Sequence, residues 1–234
     1  MEKKYELTDE TIFVDDEILY RIRALRDIPR YNIKAGDLGG YIEKEYNLSH
    51  YGDAWVSDNA WVFGYAKVFG NAKVFDDAWV YGRAQVFDSA SVYNEAKLFG
   101  NAQIFGNACV FDNAQIFGNA SVLDTAQVFG NAWVFDNAIV FGDARVPSRS
   151  CIASNAYISS VDDFLVVGPI GSYGDDITFY KTKDNTIWVN CEGFNFNGSI
   201  DDFLKRIDET HGTNKYAKAY YAAADLARIK INLD

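Results

Sequence analysis

The sequence predicts a mainly β protein: a single-stranded parallel β-helix of about six or more coils, with an N-terminal β cap and a small C-terminal α+β domain. The first observation is a six-residue repeat of sixteen consecutive units between Tyr51 and Val146. The fourth place of every unit is Ala, and the sixth place is always Val, Ile or Leu. A fixed short period indicates units that stack and bury a shared core. The second observation is that the repeat disappears on both sides of this stretch, which predicts separate structures at the two ends.

The even length of the repeat predicts which side chains point inward. Side chains alternate along a strand, so the fourth and sixth places share one face and the fifth place takes the other. The fifth place holds polar residues such as Lys67 and Gln85, so it must face water. The second place is Gly, Asp or Asn, residues suited to tight corners, so three units of six residues should make one coil of eighteen. Counting back in sixes puts Ile42 and Leu48 in the fourth place, and we expect coiling to begin near Gly39.

The pattern of an aliphatic residue followed four places later by a small one, as in Val68 and Ala72, resembles the hexapeptide repeat of left-handed parallel β-helices. This resemblance implies a left-handed coil. The aromatic residue after each aliphatic, together with the segments 19–26 and 34–42, is more similar to YdcK-like β-helix proteins of bacteria and their prophages. The resemblance covers roughly residues 19–158. It implies a fold and no particular reaction.

We divide the chain into three parts on this basis. Residues 1–38 should form the N-terminal β cap, 39–158 the β-helix and 159–234 the C-terminal α+β domain. In the cap, Asp15 and Asp16 are placed to turn a hairpin between two strands. These strands are needed because the open end of a β-helix has unpaired backbone groups and an uncovered core.

The C-terminal part has signals for a β-hairpin and two helices. Two short apolar runs flank the turn residues 183–185 and predict the hairpin. Ser199 is expected to cap a helix that ends near His211 and Gly212, and a second helix should run from Asn214 to Ile229. The segment 178–180, the residues Cys191 and Phe194, and the segment 210–212 resemble the tail of uncharacterised phage and prophage proteins.

Composition limits the classes of partner. The chain has 234 residues, a formal net charge of −11 and 16% aromatic residues. Such an acidic chain is poorly suited to bind nucleic acid or an anionic membrane surface. No apolar stretch suggests a signal peptide or a membrane span, and three Cys do not make a disulfide framework. We therefore expect a protein of the reducing cytoplasm.

The sequence gives no positive sign of an enzyme, and we predict no catalytic residue, cofactor or metal. Its two histidines, His50 and His211, lie outside the repeats and are interpreted as structural. Asp58, Asp76 and Asp112 recur, with Asn94, at eighteen-residue spacing and should stack along one corner. Stacked carboxylates can bind Ca²⁺, but the alternation with Gly at the same place favours a role in turn formation.

One side of the β-helix is a candidate contact surface. Residues eighteen apart should lie above one another, and on this side Trp recurs in the fifth place beside an aromatic first place. The candidate partner or self-association residues are Trp61, Phe63, Trp79, Tyr81, Phe99, Phe117, Trp133 and Phe135. Trp is enriched in protein contacts, and a large apolar patch is seldom left bare.

The predicted function is therefore that of a non-catalytic binding or scaffold protein with a protein partner or a homo-oligomeric assembly. The resemblance to prophage proteins adds an antagonist of a host defence complex as one version. Two alternatives remain open. One is a hexapeptide-type acyltransferase, by analogy of fold alone. The other is an acidic DNA mimic, whose binding to a basic protein would be abolished by salt.

Overall fold

The computed structural model describes residues 3–172 and 174–233 and shows a β-solenoid of about seven turns, followed by an α+β part. The N-terminal strands are β1 (Tyr5–Val14), β2 (Glu17–Ala24) and β3 (Leu38–Ile42). β1 and β2 form the predicted hairpin. Asp15 and Asp16 occupy its turn with φ of 48° and 66°, the left-handed conformation that a tight hairpin requires.

The solenoid itself is built from eighteen two-residue strands, β4–β21. They are Trp55–Val56, Trp61–Val62, Lys67–Val68, Lys73–Val74, Trp79–Val80, Gln85–Val86, Ser91–Val92, Lys97–Leu98, Gln103–Ile104, Cys109–Val110, Gln115–Ile116, Ser121–Val122, Gln127–Val128, Trp133–Val134, Ile139–Val140, Arg145–Val146, Cys151–Ile152 and Tyr157–Ile158. Each strand pairs in parallel with the strand three positions later in the chain, which gives the solenoid three sides. We call them the tryptophan side (β5, β8, β11, β14, β17, β20), the β4 side (β4, β7, β10, β13, β16, β19) and the β6 side (β6, β9, β12, β15, β18, β21).

The inward face is the one that the repeat predicts. The Ala of the fourth place and the aliphatic residue of the sixth place are fully buried in every unit from Ala54 to Val146. Each coil also donates backbone hydrogen bonds to the next, as when the Gln103 amide donates to the Ala120 carbonyl at 2.9 Å. The core is therefore a continuous column of Ala and aliphatic side chains, and the prediction of a mainly β solenoid fold is confirmed.

The first coil departs from the eighteen-residue spacing. Tyr41 pairs with Trp61 and Leu48 with Val68, so these partners are twenty residues apart. Ile42 and Leu48 thus align with sixth-place residues, and their predicted assignment to the fourth place is wrong. Both are nevertheless fully buried, because a shift of two residues leaves a side chain on the same face of a strand. The two extra residues lie between Leu48 and Ala54.

Side chains from the cap satisfy the backbone of this first coil. The Lys4 ammonium donates to the Ala54 carbonyl at 2.6 Å, and the Tyr5 hydroxyl donates to the Leu48 carbonyl at 2.7 Å. In later coils the equivalent carbonyls accept from a preceding strand. The cap therefore replaces the coil that is missing at this end.

The C-terminal part contains a four-stranded antiparallel sheet and two helices. The strands, in sheet order, are β22 (Phe164–Ile170), β23 (Asp175–Lys181), β24 (Ile187–Cys191) and β25 (Phe196–Ser199), and the helices are α1 (Ile200–His211) and α2 (Lys215–Lys230). A short 3₁₀ turn, Glu192–Phe194, lies between β24 and β25. Two other 3₁₀ turns, Pro29–Tyr31 and Glu45–Asn47, lie before β3 and after it, near the start of the solenoid. Ser199 caps α1 by accepting from the Asp202 amide at 3.2 Å, as predicted. β25 has no counterpart among the predicted strands.

This sheet covers the last coil of the solenoid. Phe164 and Tyr180 are buried in the same apolar core as the solenoid side chains. The Cys151 amide donates to the Thr178 hydroxyl at 2.9 Å, and Ala156 forms a β-bridge with Thr182. A separate apolar core joins the other face of the sheet to the two helices. Among the described residues, no helix combines the length and the apolar character needed to cross a membrane.

Candidate functional site

The aromatic residues of the tryptophan side form two stacked columns. The five first-place rings from Phe63 to Phe135 are nearly parallel, with neighbouring centroids 4.8–5.2 Å apart. In the fifth-place column, Trp61 stacks on Trp79 at 4.4 Å. The other two sides have first-place columns of the same kind, and such ladders shield the strands beneath them. The tryptophans are therefore what distinguishes this side.

The β1–β2 hairpin folds over the N-terminal end of the tryptophan side. Leu19 packs with Phe63 and Tyr41 in a small apolar cluster, and Phe63 is only 6% exposed. Burial raises the pKa of Tyr81, and the carboxylate of Asp15 at the hairpin tip raises it further. Phe63 is thus removed from any external contact surface, although the sequence places it in that set.

The middle of this side is more open and contains polar groups as well as rings. The Lys97 ammonium lies 4.5 Å from the centroid of a Trp79 ring, a cation–π contact. Trp133 is 38% exposed and meets Phe117 edge to face at 6.3 Å. We define the open tryptophan surface as Trp79, Lys97, Phe99, Gln115, Phe117 and Trp133.

The C-terminal end of this surface narrows into two clefts, both lined by Trp133. One has a volume of about 340 Å³ and is lined by Asn131, Arg149 and Asp176 among others. The other has a volume of about 410 Å³ and is lined by Phe135, Phe196 and asparagines of the terminal domain. Arg149 Nε is 2.5 Å from Asp176 Oδ2, an ion pair that joins the solenoid to the terminal sheet. Trp133 therefore stands where the solenoid and the terminal domain meet.

The acidic residues of the corners take part in backbone pairing. Asp76 has φ of 56°, and its Oδ2 accepts from the Asn94 amide of the next coil at 3.1 Å. Asp112 has the same φ, and its carboxylate accepts from the Gly130 amide at 3.0 Å. These contacts support the interpretation of the corner carboxylates as turn-forming groups.

The two histidines lie away from the solenoid body. His50 Nδ1 accepts from the Lys4 amide at 3.2 Å, and its ring stacks on Tyr5 at 4.3 Å. His211, at the end of α1, packs between Phe194 and Tyr220 with ring centroids 5.4 and 5.7 Å away. Both rings are thus held by packing. Across residues 3–172 and 174–233, no group of three or more His, Cys, Asp or Glu is arranged to hold a metal ion.

A second group of exposed residues lies beside the first coil and is absent from the predicted set. It combines three tyrosines with two cations on the β6 side. Its members are Tyr46, Tyr51, Tyr65, Lys67 and Arg83. The spacing of Tyr65 and Arg83 by eighteen residues was a usable signal, whereas Tyr46 and Tyr51 lie within the first coil, where the period fails.

A scan against protein-family models finds no match for this chain, and a search of curated proteins finds none.

Proposed function

We propose that the protein is a rigid, non-catalytic binding scaffold whose open tryptophan surface contacts a protein partner or a second copy of the chain. The observation that carries this proposal is the exposed Trp133 at the junction of the solenoid and the terminal domain. Indole rings give large contact area at low entropic cost, and they dominate the energetics of many interfaces. The stacked columns hold these rings in fixed positions, so little order has to be created on binding.

The same proposal includes an origin and a setting. The repeat resembles YdcK-like proteins of bacteria and prophages and supports a role as an antagonist of a host defence complex. An odd number of Cys supports a reducing compartment such as the cytoplasm. An acyltransferase is less well supported, because His50 is packed under the cap. A DNA mimic is also less well supported, because corner carboxylates such as that of Asp112 accept from backbone amides.

The test is a double change of Trp79 and Trp133 to Lys, which places two charges on the open tryptophan surface without touching the core. We expect loss of self-association in analytical ultracentrifugation, or loss of the proteins that co-purify from the native host. Burying an unpaired ammonium in an apolar contact is strongly unfavourable, so either interaction should fail.

A matched control also introduces two lysines, but on the β6 side, through Gln103→Lys and Ile139→Lys. The control should assemble and capture as the parent does, and both variants should keep the parent's circular dichroism spectrum. Unchanged assembly and capture in the Trp variant would place the contact surface elsewhere, for example on the terminal domain.

A further inference from the structure

The β6 side carries a continuous groove next to the cap. Two adjoining cavities have volumes of about 520 and 420 Å³. Both are lined by Tyr46, Lys67 and Gln85. The 3₁₀ turn Glu45–Asn47 forms one wall, and strands β6 and β9 form the floor, where Lys67 pairs with Gln85. The groove therefore lies between a backbone turn and two paired strands of the solenoid.

Three tyrosines line this groove and are unusually exposed. Tyr46, Tyr51 and Tyr65 expose 43%, 68% and 70% of their surface. Tyr46 is also fixed, since its hydroxyl donates to the Gly64 carbonyl. Exposed, oriented rings of this kind provide stacking faces for a planar ligand.

Two cations in the groove have no anionic partner. Within the described part of the chain, no carboxylate oxygen lies within 4.0 Å of the charged nitrogens of Lys67 or Arg83. Glu45 itself lines the groove and is paired with Lys3, and the nearby Glu43 is paired with Lys44.

The side chains are arranged as a compact array. Tyr65 and Arg83 occupy the same corner one coil apart, and the Arg83 guanidinium lies 5.8 Å from the Tyr65 ring centroid. Lys67 and Gln85 occupy the adjoining strand positions in the same two coils. Neighbouring coils are about 4.8 Å apart, so a stacking ring, two cations and an amide stand within the reach of one small ligand.

We propose that this groove binds a small nucleotide, with its base stacked on a tyrosine ring and its phosphate held by Lys67 and Arg83. Inorganic phosphate alone would leave the rings unused, and a nucleoside alone would leave the cations unused. The amide of Gln85 can both donate to and accept from the edge of a base. A long nucleic-acid strand is disfavoured, because the chain as a whole carries a net charge of −11. This site is independent of the contact proposed for the open tryptophan surface.

The test is isothermal titration of the full-length protein at low ionic strength with AMP, GMP, adenosine, inorganic phosphate and a long oligodeoxyadenylate. We expect saturable binding of at least one mononucleotide. Adenosine and inorganic phosphate should each bind at least about tenfold more weakly, because each uses half of the site.

Two variants assign the binding to the groove. Lys67→Gln combined with Arg83→Gln should weaken nucleotide binding by about tenfold or more, and Tyr65→Ser should weaken it through loss of stacking. The charge control is Lys73→Gln with Arg145→Gln, which removes two cations from the β4 side. The ring control is Tyr157→Ser in β21, which lies on the β6 side at the other end of the solenoid. Both controls should bind as the parent does.

Three outcomes would overturn the proposal. In the first, no mononucleotide binds. In the second, the controls lose as much affinity as the groove variants, and in the third, the long oligodeoxyadenylate binds much more tightly than any mononucleotide. Because all of the substituted side chains are at least partly exposed, the variants should fold as the parent does, which circular dichroism checks.

Discussion

The buried Lys4 ammonium predicts that alkaline pH stabilises the fold. Lys4 is fully buried, and its Nζ donates a hydrogen bond to the Ala54 carbonyl. Burial, helped by the nearby charge of Arg26 and opposed by that of Asp53, lowers its pKa from 10.5 to about 8. The backbone amide of Lys4 is bonded to His50, so the residue is held at this position from two sides. The change to test is Lys4→Met, which keeps the length of the side chain and removes the charge.

The sign follows from proton linkage. Because the pKa is lower in the folded chain, the folded chain binds fewer protons than the unfolded chain between the two pKa values. The free energy of unfolding is therefore reduced below a pH of about 8 and recovers as the pH rises toward 10.5. With these two values, the gain from about pH 7 to about pH 9 is on the order of 1 kcal/mol, and the limit at higher pH is roughly 3 kcal/mol. Burial raises the pKa of Tyr5 and of Tyr180, which opposes the gain at still higher pH.

The assay is urea unfolding followed by circular dichroism, for parent and Lys4→Met, at both pH values. The tyrosine contributions are common to the two proteins and cancel in the difference between them. We expect the stability of the parent relative to the variant to rise by about 1 kcal/mol over this range. A difference that does not change with pH would refute the reasoning, since it would mean that the amine keeps its ordinary pKa and is not desolvated by the cap.

Three further changes test other parts of the structure. Ala102→Leu overfills a fully buried site and should lower the free energy of unfolding by about 1–3 kcal/mol. Gln103→Leu, on the outer face, should not lower it. Equal urea midpoints for these two variants would contradict the assignment of Ala102 to the inward face. Asp112→Ala should lower the free energy of unfolding by on the order of 1 kcal/mol, because it removes the acceptor of the Gly130 amide and leaves Ala at the positive φ of position 112. Asp112→Gly should cost less, because Gly adopts positive φ readily. A lower melting temperature for the Gly variant than for the Ala variant would count against this role. A chain ending at Ser159 uncovers the last coil, so it should keep its β-type spectrum but melt at a lower temperature than the full chain, and equal melting would show that the terminal sheet does not stabilise the solenoid.

The regular part of the fold could be predicted because its contacts repeat. Once Ala102 and Ile104 are assigned inward, every other unit follows, and the eighteen-residue spacing gives the partner of each strand. The same arithmetic correctly places Trp79 next to Trp61 and Lys97 next to Trp79 in one column. In a solenoid each unit contacts chiefly its neighbours, so local sequence carries most of the information.

The irregular parts depend on contacts between segments that share no period. Nothing near Leu19 indicates that the hairpin folds over Phe63, because that contact depends on how the two bodies meet. The two extra residues after Leu48 shift the register without changing the inward face, so hydrophobic pattern alone does not reveal them. Because of this register shift, the sequence does not predict the groove that contains Tyr46. The predicted aromatic contact surface is also larger than the open tryptophan surface, because the hairpin covers Phe63.

The uniform coil has a geometric consequence for the two ends of the molecule. Every coil between β4 and β21 has the same length and pairs in the same register, so the number of coils alone sets the distance between the tyrosine groove and the clefts at Trp133. Each coil adds about 4.8 Å. Deleting or duplicating a block such as residues 93–110 would move these two places by one step and leave the structure of each intact. The solenoid therefore fixes this distance in steps of one coil, and a single molecule that contacts both places must have the matching length.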